Sequence, residues 1–451
     1  MGWCWLRLFL PKKIMVLKSF LKLSSLLTIT IIIFTACTRA PEEVKDLFEE
    51  ATPTGTSYYI DSQHGDDNNI GTSENSPWKT LVKVSSITFQ PGDNIYFKRD
   101  SSYEGGVTIN GNGTPRFPIT ISAYGTGNAP SFTNPNFNDS YGNAMRVRGD
   151  YHIVENLYFH HTAPAPNDVG FEIVWSVGAL HVSLGNDHVI IRDNEFANTP
   201  KAIHSYSEYS LITNNYIHDP NMDQDNGFLS YPYWGPIGIH LGIGNQEVSY
   251  NTIENMYSAG GEYDADGGAI EIDDGRNHKD NIHIHHNKTE HNMGFVEISW
   301  WDDAMKMPSS NITIDHNVSR DYQDFVLWWA PTSNSTIESN TIIRTDNQYT
   351  GPFDGVFFID APPGDITLTK NIIVTDNDLT EAIYVEGFDG GVKDVTHTDN
   401  CYWDVVDGKV DLGLPFGPGE IEADPLFVDW EGGDYYLQPG SPCAGWGALN
   451  D

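Results

Sequence analysis

The chain has 451 residues, and 62 acidic against 25 basic residues give it a net charge of −37. Such a surface excludes binding to nucleic acid or to an anionic membrane by charge. An anionic polymer can be met only through local basic groups or bound cations.

Residues 1–36 carry Arg7, Lys12, Lys13, Lys18 and Lys22 and no acidic residue, followed by the apolar run LLTITIIIF and by Phe34-Thr35-Ala36-Cys37. A basic start, an apolar stretch and small residues before a cut describe a secretory signal rather than a membrane span. Thr-Ala-Cys resembles a bacterial lipobox, which implies Cys37 as the lipidated first residue of the mature protein; Met15 is an alternative start. The expected location is the outer membrane or surface of a Gram-negative bacterium, or its periplasm, with the lipid as the only membrane contact. Removing the five basic residues leaves 20 against 62 acidic ones, a mature charge near −42. Residues 37–56 are acidic and poor in apolar side chains, so they read as a tether. Residues 57–451 read as one domain, expected to be monomeric. Cys401 and Cys443, in a compartment that allows disulfides, are candidates for a bridge pinning the C-terminal segment.

Helical periodicity is nearly absent beyond residue 95. A strand-like run closing on asparagine recurs instead, as YHIVEN (Asn156), HVIIRDN (Asn194), SLITNN (Asn215), QEVSYN (Asn251), IHIHHN (Asn287), ITIDHN (Asn317), STIESN (Asn340), ITLTKN (Asn371) and VTHTDN (Asn400). Successive asparagines lie 21 to 38 residues apart, which is the spacing of a solenoid whose coils are a few short strands. Asparagine suits a left-handed turn residue, and its amide can bond to the next coil as a ladder. A sandwich or propeller would show hairpin signals or a near-constant blade length, and neither is present.

The entry segment YYIDSQHGDDNNIGTSENSPWKTLVKV, the following PGDNIYFKRD and PITISAYG, and the ending ADPLFVDWEGGDYYLQPGSPCAGWG resemble right-handed parallel β-helix proteins of the pectate-lyase-like superfamily over about residues 58–447. The resemblance implies an all-β solenoid with a short N-terminal capping helix, first coils over 57–135 and a closing segment over 402–451. It implies much less about reaction, because this fold hosts hydrolases, lyases, epimerases and adhesins.

Six runs hold a polar residue between apolar neighbours: AMRVR (Arg146), GALHVS (His181), KAIHSY (His204), IGIHLG (His240), GAIEID (Glu271) and GFVEIS (Glu297). By the two-residue strand period each polar side chain points away from its apolar neighbours, so the six form one outward column. Rungs of a parallel sheet are about 4.8 Å apart, and Asp273, two residues past Glu271, should lie about 6.6 Å along the same strand. A slip in register is most expected at Leu327 to Trp329.

Paired carboxylates push one another's ionisation apart, which glycosidic cleavage requires. Glu271 is the candidate general acid and Asp273 or Glu297 its partner, with inversion expected for Asp273 and retention for Glu297. Glu-Ile-Asp is similar to the paired Glu-x-Asp of β-helical iota-carrageenases. The histidines serve either as acid–base groups near neutrality or as partly charged subsites, with Arg146, for a uronate or sulfate. Zinc is disfavoured because a linear stack lacks tetrahedral convergence. Trp175, Tyr231, Tyr233, Trp234 and Tyr263 precede column strands and Trp300 and Trp301 follow Glu297, where rings suit the apolar faces of sugars. Asp264, Asp266, Asp273 and Asp274, with Asp302 and Asp303, are candidate oxygen ligands for calcium, although no cofactor is required. His283, His285 and His286 read as surface groups.

The leading expectation is a glycoside hydrolase acting on a polysaccharide, anionic or sulfated polymers included. The alternative is a lyase or C5 epimerase on uronates, with His240 or His204 as base and Lys306 or Arg146 as helper; the shortage of lysine and arginine near the centre argues against it. A third reading is a non-catalytic glycan-binding or adhesion solenoid.

Overall fold

Short strands of β-branched residues, separated by single left-handed residues, build three walls. In a computed structural model the described residues are 55–163, 176–222, 235–259, 265–273, 277–299, 309–330, 332–346, 355–359, 365–376, 381–385 and 395–449. One coil shows the plan, with strands at Lys201–Ser205, Ser210–Thr213 and Tyr216–His218. Left-handed residues mark its corners: Tyr209 (φ 56°), Asn214 (φ 53°) and Asp219 (φ 48°), repeated a coil later by Asn245, Tyr250 and Asn255. Asn and Asp tolerate this region better than other non-glycine residues, which explains their abundance at the corners.

Among the described residues, successive coils stack into parallel sheets of 13, 12 and 11 strands. The first, here the ladder sheet, holds Ser210–Thr213; the second, the flank sheet, holds Tyr216–His218; the third, the column sheet, holds Lys201–Ser205. Two short antiparallel pairs depart from this pattern, Ser258–Ala259 with Ala265–Asp266 and Phe427–Asp429 with Asp434–Leu437. The architecture is a right-handed parallel β-helix, the hand that parallel crossovers favour. A one-turn helix, Leu81–Ser85, precedes the column sheet's first strand; Thr80 caps its N-terminus and Leu81 and Val84 are buried.

Inward residues stack by type. Ile203, Ile239, Ile270, Val296 and Val326 succeed one another on the column sheet, and the rings of Phe132, Phe159 and Phe196 stack at 5.4 and 4.9 Å under the flank sheet. Each such side chain contributes about 1.5–3 kcal/mol by leaving water. The C-terminal segment forms a second, smaller core with Phe427 and Tyr435, closed by the Cys401–Cys443 disulfide.

The asparagine ladder runs from Asn194 to Asn400 between the ladder and flank sheets. At each step the backbone N–H and Nδ2 of one asparagine donate to Oδ1 of the next, as Asn215 does to Asn251 (3.0 Å each) and Asn251 to Asn287 (3.0 Å each). Nδ2 also donates back to a carbonyl of the previous coil, Asn251 to Ile212 at 2.9 Å. Two expectations change. Asn156 is not a rung: it is the left-handed residue of its corner (φ 61°), and Leu157 takes the ladder position, its N–H donating to Asn194. The ladder asparagines are likewise not the left-handed residues; that role falls to the residue before each, such as Asp193, Asn214, Tyr250 and His286. Asparagine is selected at the rungs for its amide, not for its backbone.

Candidate active site

The column exists in the expected register. Arg146 pairs with His181, His181 with His204, His204 with His240, His240 with Glu271, and Glu271 with Glu297. Thr108 precedes it and Leu327 and Phe358 follow, without a slip at Leu327. The polar stretch therefore has an apolar end beyond Glu297.

Its upper half is dry. His181 is 6 % exposed, His204 0 % and His240 1 %. Burial, reinforced by Arg146 and Lys201, pushes the His181 imidazole down to about 3, and burial with neighbouring cations and imidazoles holds His204 and His240 well below the usual histidine range. All three are neutral near pH 7, which corrects the expectation of imidazoles titrating near neutrality or serving as partly charged subsites. The rings of His204 and His240 stack at 4.3 Å, and those of His181 and His204 meet edge-on at 5.0 Å. Arg146 donates to Asn143 Oδ1 at 2.6 Å and lies over the Tyr141 ring at 5.7 Å. The buried Arg146 Nε, His181 Nδ1 and His204 Nε2 have no hydrogen-bond partner among the described residues.

The lower half gathers charge. One ring nitrogen of His240 and one oxygen each of Glu271 and Asp273 lie within 4.8 Å of one another. Glu271 and Glu297 are half-buried, whereas Asp273 is 6 % exposed. Asp273 follows Ile272, the last strand residue, and its nearest carboxylate oxygen lies within 4.8 Å of one of Glu271. The three groups could hold a divalent ion, and among the described residues Asp273 is the calcium candidate that belongs to this cluster. Asp266 lies in the short pair with Ser258. Trp175, Tyr231, Tyr233, Trp234, Tyr263, Asp264, Asp274, Trp300, Trp301, Asp302, Asp303, Lys306 and Cys37 lie outside the described residues.

Two lysines escaped the sequence reading. Lys201, 1 % exposed at the start of the His204 strand, sets Nζ 2.7 Å from His240 Nδ1. Lys279, also buried, donates to the Asn277 carbonyl at 2.8 Å and bears electrostatically on His240. The run KAIHSY contained the signal, since a lysine opening a strand with an apolar inward residue had no solvent to face. The supposed shortage of cations near the centre is thus corrected. On the ladder sheet, His285 is not a surface group: it is 3 % exposed, with Nε2 3.1 Å from Glu247. His283 and His316 share the two oxygens of Asp315, which holds that carboxyl well below its usual range despite burial.

No family model matches the chain. Over 78 residues it is 46% identical to a lacto-N-biosidase of Bifidobacterium longum subsp. longum, a stretch equal to 16% of this chain and 5% of that protein. Among solved structures it is similar to the pectate lyase Pel9A, with TM-score 0.53, 14% identity and coverage of 90% of this chain and 94% of the other. It also aligns with the GH136 lacto-N-biosidase from Eubacterium ramulus, with TM-score 0.41, 14% identity and coverage of 77% and 68%. At these identities the structural likeness concerns the fold alone, a right-handed parallel β-helix.

Proposed function

We propose that this protein is a carbohydrate-active enzyme that hydrolyses glycosidic bonds in a saccharide lying along the column. The observation that carries the reading is the convergence of Glu271 and Asp273 with His240 within 4.8 Å. Carboxyl groups about 5–5.5 Å apart belong to retaining hydrolysis, and wider pairs leave room for an inverting water. Glu271, the more exposed, is the acid that protonates the leaving oxygen, and Asp273 is the nucleophile. Glu297, one rung away, keeps the acid's proton in place by repelling its ionised form. Neutral imidazoles and a net charge of −37 favour an uncharged saccharide over a uronate or sulfate polymer. The local likeness to a lacto-N-biosidase supports the same class. The disulfide favours an exported protein, in keeping with lipidation at Cys37.

A lyase reading gains from Lys201, a cation 2.7 Å from His240 that can neutralise a uronate carboxylate while a base removes the C5 proton. One screen separates the two. A panel of neutral and uronate glycans is assayed for new reducing ends and for unsaturated-uronate absorbance. Reducing ends without absorbance support hydrolysis; absorbance overturns it in favour of the lyase; binding without turnover across the panel overturns both.

A further inference from the structure

The stacked rings of His204 and His240 differ in what their Nδ1 atoms face. His204 Nδ1 lies 2.9 Å from the Val177 carbonyl, which can only accept. A neutral imidazole has one N–H, so that proton sits on Nδ1 of His204 and its Nε2 keeps a lone pair. His240 Nδ1 lies 2.7 Å from Lys201 Nζ, an ammonium with donors only. The lone pair of His240 is therefore on Nδ1 and its proton on Nε2. Two protonated groups at that separation would repel strongly, and burial with the charges of Lys201 and Lys279 keeps the imidazole the neutral member.

We propose that Lys201 is a positioning residue, and that His204 and His240 are locked in opposite tautomers, the first with Nε2 as an acceptor and the second with Nε2–H as a donor. His204 Nε2, buried without a hydrogen-bond partner among the described residues, is left as a hydrogen-bond acceptor. The use of this pair in turnover rests on the hydrolase reading; the tautomers themselves do not.

The test is the ¹⁵N spectrum of the full protein labelled at histidine, with His204 and His240 assigned by loss of their signals in H204Q and H240Q. His204 should show a protonated Nδ1 and His240 a protonated Nε2, and K201M should shift His240 towards a mixture of tautomers while leaving His204 unchanged. Neutron diffraction from the wild-type crystal reads the same protons if a variant fails to fold. A His240 protonated on Nδ1, or unaltered by K201M, would overturn the proposal. Loss of the hydrolase reading in the glycan screen leaves these spectra unchanged, so the two failures are distinguishable.

Discussion

Glu271 and Glu297 face each other across adjacent parallel strands, and the next rung after Glu297 is Leu327. The charged end of the column thus closes on an apolar wall, which confines ionised groups to a few rungs and raises the influence of each on its neighbour.

Glu271→Gln should lower kcat about 100- to 10,000-fold, the range for a lost general acid, with KM and the thermal midpoint little changed. Steady-state kinetics beside a melting curve check it. Near-normal turnover removes Glu271 from the acid's role.

Asp273→Asn and Glu297→Gln separate nucleophile from neighbour. Asp273→Asn should abolish formation of the covalent intermediate, and Glu297→Gln should leave retention intact while moving the alkaline limb of the pH–rate profile, which reports the protonated acid, to lower pH. Product anomer, read by NMR at early times, decides; an inverted product from wild type excludes Asp273 as nucleophile.

Asn251→Ala should destabilise the solenoid, because it strands the Asn215 N–H and the Ile212 carbonyl. A buried polar group left unpaired costs about 1–3 kcal/mol. Urea unfolding measures it, and a loss no larger than for an exposed asparagine such as Asn281 would contradict the ladder's role.

Asp324 is a buried carboxyl that burial pushes up to about 7, against the pull of Arg344. The folded state therefore holds a proton that the unfolded chain releases near pH 4. Its stabilising contribution is complete below that value and is lost as pH rises through about 7. Asp324→Asn should flatten this part of the stability–pH curve, measured as the difference from wild type by chemical denaturation. Identical curves would show that Asp324 is ionised throughout.

Reduction of Cys401–Cys443, which lie 42 residues apart, should lower stability by up to about 4 kcal/mol on loop-entropy grounds. Cys401→Ser with Cys443→Ser should match the reduced wild type in the same assay. The effect should fall on the C-terminal core around Phe427 and Tyr435 and leave the Glu271 rung intact, which hydrogen exchange can locate.

The fold was legible because its rules are local and repetitive. Alternation within HVIIRDN or ITIDHN states which side chains face inward, and recurrence of asparagine marks the coils from Asn194 to Asn400. The identity of the ladder residue was legible for the same reason, but its conformation was not. Whether Asn194 or Asp193 turns left-handed depends on which amide reaches the next coil, and Asn156 shows that the same letter can fill either place. The order of the column from Arg146 to Glu297 also followed from sequence, since one apolar neighbour on each side fixes the face.

The ionisation of that column was decided only in three dimensions. Nothing in KAIHSY states that Lys201 reaches His240, which is 39 residues on, or that the imidazoles are sealed from water and held neutral. The approach of Asp273 to Glu271 likewise depends on where the strand ends. Sequence alone determined which residues share a face, because strand period is a property of the local backbone. Tertiary structure decided their charge and reach, because desolvation and distance are set by residues far apart in the chain.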